Sequence, residues 1–131
     1  MVYYDSPFAQ VLWNDIIEAA VLQWIRDAHG DHFRTPMEKV LELANLRQAK
    51  KVLYDTRLLF EIAEDDRQWA SNDMYPRLLQ SEIRFAAAVL PVHILTKPLY
   101  NEVSAGAGSI PIVFGHFANL EEAGQWLYEI D

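Results

Sequence analysis

The chain of 131 residues contains no cysteine. That excludes disulfide bridges, thiolate zinc sites, iron–sulfur clusters and thiol nucleophiles together. Positive charge is also scarce: 11 Lys and Arg stand against 19 Asp and Glu, for a net charge of −8. Nucleic acids and anionic membrane surfaces are held by clustered Lys and Arg, and Lys50–Lys51 is the one adjacent basic pair. Neither is therefore expected as a partner. No apolar run approaches the roughly 18–20 residues that span a bilayer. The opening MVYYDSPFAQVLW lacks a basic stretch followed by an apolar core, so no secretory signal is expected and a cytoplasmic protein is. Glycine is sparse, and the G-x-G within GAGS (106–109) precedes an expected strand instead of following one. A dinucleotide loop fails on that context, and no P-loop lysine follows. Ser6, Ser71, Ser81, Ser104 and Ser109 have no G-x-S-x-G setting, so a hydrolase elbow is absent.

What is present is an ordinary globular composition, 51% hydrophobic and 23% charged. One domain of this length buries about 65–70% of its unfolded surface. Gln10–Asn14 and Ala19–Arg26 read as two strands joined by a turn around Asp15–Glu18, with Trp13, Val21, Trp24 and Ile25 as β-favouring bulk. From Asp31 or Thr35 the period changes. Phe33, Met37, Val40, Leu41 and Ala44 then share one helical face. Lys51–Asp55 and Arg84–Leu90 are short apolar runs suited to strands buried on both faces. A helix opens near Ala63, with Glu64, Asp65 and Asp66 in its first turn and a stripe of Ala63, Ala70, Met74 and Leu78, and Pro76 should kink or interrupt it. A short helix at 94–103, a flexible connector at 104–109 and a last strand at Ile110–Phe114 follow. In the final helix Asn119 is the cap, Glu122 completes a capping box, and Ala123, Trp126, Leu127 and Ile130 line one face. The order ββαβαβαβα implies an α/β fold with right-handed crossovers: a mostly parallel five-stranded sheet with an antiparallel edge hairpin strand. Residues 1–9 form an N-terminal extension to this single domain.

The motifs KKVLYDTR, EDDRQW with a proline seven residues after its Trp, RFAAAVLP and NLEEAGQWL together resemble the uncharacterised bacterial STAS-like proteins. These are small α/β domains similar in fold to anti-sigma-factor antagonists and distantly to CRAL-TRIO lipid carriers. The similarity runs from about Val11 to the end of the chain. It implies an open sheet of successive β–α turns and no particular activity. Anti-sigma-factor antagonists carry a phosphorylated serine, in an Asp-Ser-Ser-Gly run, at the start of the helix after the equivalent strand. The matching stretch here is FEIAEDD (60–66), which has no Ser or Thr and three acids near its end. The phosphoswitch is not carried over, since phosphate there would meet Glu64, Asp65 and Asp66.

Asp55 closes an expected parallel strand, the end at which open α/β sheets bind ligands. It is read first as a fastener, accepting from the following loop or pairing with Arg57. Consecutive helical residues diverge by about 100°, so Glu64, Asp65 and Asp66 cannot all face one ion and read as a solvated first turn. His29 and His32, with Asp31 between, form a small N/O cluster without a fourth ligand, and no metal or cofactor is expected. His93 and His116 lie beside strand ends and matter only if one reaches Asp55. Trp13, Trp24, Tyr3, Tyr4 and Phe8 either pack on the domain's own helices or form an exposed patch at a sheet edge. Gln10–Asn14, with neither proline nor lysine, would be a poorly protected edge open to self-association as a homodimer.

The leading expectation is a non-enzymatic domain that binds a protein partner, or a second copy of itself. It would use the aromatic edge and the acidic rim, with Asp55, Arg57, Trp69, Trp13, Trp24, Glu64 and Asp65 as contact residues. The alternative is a carrier or sensor of a small apolar, lipid-like ligand between sheet and helices, lined by Phe85, Leu95, Leu99 and Trp69. An enzyme pairing Asp55 with a histidine is the third reading and requires that histidine within hydrogen-bond reach.

Overall fold

Along Ala9–Asn14 buried and half-buried positions alternate, whereas nearly every position of Ala19–Trp24 is buried. The first pattern belongs to a strand near a sheet margin and the second to one covered on both sides. A computed structural model describes residues 1–90 and 112–130 and places these strands accordingly. Its six strands are β1 (Val2–Asp5), β2 (Ala9–Asn14), β3 (Ala19–Trp24), β4 (Lys51–Asp55), β5 (Phe85–Val89) and β6 (Val113–Phe117). They lie side by side in chain order, with β1, β2 and β3 antiparallel and β3 through β6 parallel. The β2–β3 turn is built by Asn14, whose side-chain oxygen accepts the Ile16 and Ile17 N–H groups.

Helix α1 (Asp31–Arg47) joins β3 to β4, and α2 (Glu64–Trp69) runs through a π-helical stretch (Ala70–Met74) into α3 (Tyr75–Gln80) before β5. Pro76 has no N–H to donate back to residue 72, and the widened turn just before it absorbs that loss. Neighbouring parallel strands joined in one direction by right-handed crossovers put α1 and α2–α3 on the same face. There Phe33, Val40, Leu43, Met74 and Leu78 meet Val11, Leu22, Trp24 and Val52. The last helix, α4 (Leu120–Glu129), follows β6 and covers the other face, where Ala123 and Leu127 sit on Val21, Leu53, Ala87 and Val89. The Asn119 side chain accepts the Glu122 N–H at 2.8 Å at its start. At its end Lys51 Nζ, from the first residue of β4, donates to the Leu127 and Ile130 carbonyls at 2.7 and 2.8 Å. A cation is thus held against the negative end of the helix.

Four expectations need correction. The sheet has six strands, not five, because Val2–Asp5 adds an outer strand that four residues cannot announce by periodicity. β2 is consequently not an edge: β1 pairs along it, and Tyr3 of β1 donates its hydroxyl proton to Glu42 on α1. Of the aromatic residues assigned to an exposed patch there, Tyr3, Tyr4 and Phe8 are half-buried and the two tryptophans belong to the core. Trp24 is 1% exposed and stacks on Phe33, and Trp13 is 9% exposed beneath the Arg47 guanidinium. The last strand begins at Val113, whose N–H donates to the Arg84 carbonyl, and runs three residues beyond Phe114. The helix expected at 94–103 and the connector at 104–109 lie outside the described residues. No described helix is long and apolar enough to cross a membrane.

Candidate functional site

The parallel strands β3 and β4 end side by side, Gln23 opposite Asp55, and the loops beyond them converge. The β1–β2 turn joins from the side: Ser6 Oγ accepts the Phe8 and Ala9 N–H groups, and the Phe8 carbonyl accepts the Ile25 N–H. Asp27, in the β3–α1 loop, reaches across and accepts the Phe60 and Glu61 N–H groups of the β4–α2 loop through Oδ1. Phe8 stacks on His32 with centroids 4.2 Å apart, and the Arg26 guanidinium lies over the Phe8 ring. The result is a cleft of about 470 Å³ lined by Phe8, Asp27, His29, His32, Glu61 and Ile62 among others. It occupies the carboxyl end of the sheet, where open α/β folds place their ligands. A wider groove of about 650 Å³ runs between the second half of α1 and α3, over Glu38, Glu42, Arg77 and Gln80. Its lining comes from α1, α3 and Ser81 just past the end of α3.

Beside the first cleft lies Asp66, fully buried although charged. One carboxylate oxygen accepts the Gly30 N–H at 2.9 Å and the other accepts Arg34 Nε–H at 3.0 Å. Gly30 stands at the start of α1 with φ +63° and ψ −132°, a conformation open to glycine and strained for other residues. Arg34 in turn lies over the Trp69 ring, which makes a T-shaped contact with Phe33. His29 Nε2 approaches two carboxylates, Asp65 Oδ1 at 3.3 Å and Asp66 Oδ2 at 3.9 Å. Desolvation pushes the Asp65 carboxyl up, but the hydrogen bond and charge of His29, with backbone N–H groups, outweigh it and hold the group below its usual range.

No protein-family model matches the sequence, and no curated protein does. Among solved structures, an uncharacterized Shewanella loihica PV-4 protein of the DUF3478 family, with a SpoIIAA-like fold, aligns over 95% of this chain and 98% of its own. The TM-score is 0.60 at 14% sequence identity. The fold is SpoIIAA-like. At that identity the likeness extends to the fold of a STAS-like uncharacterised protein and no further.

Within this SpoIIAA-like domain Asp55 and Arg57 meet. Asp55 is 2% exposed and accepts Arg57 Nε–H at 2.9 Å, Nη2–H at 2.8 Å and the Arg57 backbone N–H at 3.2 Å. Both carboxylate oxygens are thus engaged by one fork. His116 stands opposite Ala88 in the ladder, one register position from the Asp55–Val89 row, so it faces the other side of the sheet. Burial pushes its imidazole below the ordinary value. An Asp55–His116 acid–base pair is therefore not formed, and His93 lies outside the described residues.

Glu64 is exposed on the first turn of α2, and Trp69 is half-buried under Arg34. The supposed apolar pocket does not assemble from the residues assigned to it. Trp69 packs on the α1 face, Phe85 packs against Trp126 on the α4 face, and a sheet separates them. Leu95 and Leu99 lie outside the described residues. His29 and His32 part company as well: His32 stacks on Phe8 while His29 turns to Asp65. Asp66, expected with Glu64 and Asp65 on a solvated first turn, is instead fully buried, and the other residues that organise the site, Arg34, Gly30 and Asp27, escape the sequence reading. One signal was present for Asp66, which falls on the same helical stripe as Ala63, Ala70 and Met74. A carboxylate there must be buried with a partner.

Proposed function

We propose that this chain is a non-catalytic binding domain whose working surface is the loop rim at the carboxyl ends of β3 and β4. The occupant is a protein partner that presents a basic segment. The observation that carries this reading is the cleft itself, in which three loops separated in sequence are tied together by the Asp27 hydrogen bonds to Phe60 and Glu61 and by the Ile25 N–H to Phe8 carbonyl bond. Fixed loops hold their shape before a partner arrives, so less ordering entropy is lost on binding. Asp27, Glu61, Asp65 and Glu64 give this end of the molecule an acidic rim, and Phe8 and Ile62 supply apolar contact. Acid around an apolar floor selects Lys and Arg heads with aliphatic stems. The engagement of both Asp55 oxygens by Arg57 supports a structural role for that pair over a catalytic one.

The test is a photo-crosslinking amino acid placed at Glu61 in the protein's own host, with Glu121 on α4 as the control position. A discrete protein adduct from position 61, absent from 121 and reduced by Asp65→Lys, is expected. An adduct from 121 alone would overturn the reading. So would native mass spectrometry of the gently purified chain carrying a retained apolar small molecule.

A further inference from the structure

We infer that His29, Asp65 and Asp66 form a site for a single divalent transition-metal ion of the Zn²⁺ type. The three donors come from two elements far apart in sequence, the loop before α1 and the first turn of α2, and all lie within 4.8 Å of one another. A four-coordinate ion with bonds of about 2.0–2.1 Å sets neighbouring donor atoms about 3.3–3.4 Å apart. The His29 Nε2 to Asp65 Oδ1 separation of 3.3 Å matches such an edge, the 3.9 Å to Asp66 Oδ2 needs to close by about half an ångström, and the carboxylate–carboxylate edge lies within 4.8 Å. The His29–Asp65 hydrogen bond, at 3.3 Å, is long for a charged pair. A charge-assisted N–H to carboxylate bond runs at about 2.7–2.9 Å. A single imidazole N–H, moreover, can donate along one direction, whereas Nε2 faces oxygens of two carboxylates.

The support around the donors is also that of a ligand set. Asp66 is held by the Gly30 N–H on one oxygen and by Arg34 on the other, so its carboxylate is oriented before any ion arrives. Asp65 Oδ1 accepts the Asp66 N–H at 3.0 Å. His29 and Asp65 are well exposed, which leaves the outer coordination positions to water. Two carboxylates beside one Arg34 guanidinium leave a single negative charge, enough to draw a dication without crowding it. An imidazole with two carboxylates favours Zn²⁺, Co²⁺ or Ni²⁺ over Ca²⁺ and Mg²⁺, which take oxygen ligands. The divergence of adjacent side chains along α2 is no obstacle, because His29 approaches between Asp65 and Asp66, and Glu64 is not needed. This site stands whether or not the neighbouring cleft takes a protein.

The experiment is calorimetric titration of the untagged full chain with ZnCl₂, alongside ¹⁵N–¹H spectra under substoichiometric Cu²⁺. One Zn²⁺ per chain is expected, with Gly30, Asp65 and Asp66 amides broadened first. His29→Ala and Asp65→Ala each change an exposed side chain and should weaken binding about tenfold or more, as loss of a ligand costs at least what loss of its supporting partner does. His32→Ala should leave it within about twofold, since His32 donates nothing to the ion. Absence of saturable uptake overturns the site, as does uptake undiminished in His29→Ala. Displacement of Zn²⁺ by excess Ca²⁺ overturns its assignment as a transition-metal site.

Discussion

Replacing Asp66 by alanine tests the arrangement at its centre. The carboxylate is fully buried, so its two acceptor contacts are made without competition from water. A hydrogen bond from Gly30 N–H to an ionised acceptor contributes about 1.5–3 kcal/mol. The Arg34 pair contributes less, about 0.5–1 kcal/mol, because a third of that side chain is exposed and can rehydrate when its partner goes. Relief of the buried charge returns part of the sum, leaving an expected loss of about 2–3 kcal/mol for Asp66→Ala. With a urea m-value of about 1.5–2 kcal/mol/M, the midpoint falls by about 1–2 M. Asp66→Asn keeps the volume and one acceptor for Gly30 but turns an amide toward Arg34, so it should cost about half as much. Asp65→Ala, exposed one residue away, should leave the urea midpoint in metal-free buffer close to that of the parent. Should Asp66→Ala match Asp65→Ala in urea, the buried carboxylate holds nothing together and the account of how α1 is anchored is wrong.

Two further outcomes follow from contacts elsewhere. Lys51→Met removes both donors to the Leu127 and Ile130 carbonyls and should cost about 1–2 kcal/mol, with amide exchange accelerated in the last turn of α4. Unchanged protection there would refute the cap. Because burial lowers the His116 pKa, the unfolded chain takes up that proton first as the pH falls. The contribution of a neutral His116 is whole above its ordinary value of 6.5 and is lost as the pH drops through the lower folded-state value. Urea midpoints should therefore fall more between about pH 7.5 and 5.5 for the parent than for His116→Asn. Parallel slopes would show that His116 keeps an ordinary pKa in the fold.

Elements with a strong period were legible in the sequence. Phe33, Val40, Leu41 and Ala44 share one face of α1, and Asn119 with Glu122 starts α4, because repetition over several turns or a capping pair is a local signal. Lys51–Asp55 was legible as a buried run, and so was Arg84–Leu90, of which Phe85–Val89 forms the strand. β1 was not, since four residues carry too few alternations and what holds them is pairing with β2 and the Tyr3–Glu42 contact, both distant in sequence. β6 was misplaced because the apolar run stops at Phe114, while the ladder continues through Gly115 and His116, residues of low β-propensity, with Gly115 opposite Ala87 and close under Phe117 and Trp126.

The site divides in the same way. Asp55 and Arg57 lie two residues apart on one loop, so the pairing could be proposed from the string alone. His29 and Asp66 lie in segments separated by α1 and β4, and hydrophobic periodicity reports which face of a helix is buried without naming what it meets. The informative departure is a charge within an apolar stripe. Asp66 interrupts the series Ala63, Ala70, Met74, and a buried carboxylate is tolerated only where donors converge on it. Those donors must be supplied by a neighbouring element whose backbone N–H groups are unpaired, and the start of α1 has them. Gly30 is the residue that can present its N–H there, because α1 begins in a positive-φ conformation without a side-chain cap. The stripe violation and the isolated glycine thus specify one another, and a helix carboxylate facing a glycine-led helix start locates the loop rim before any pocket is drawn.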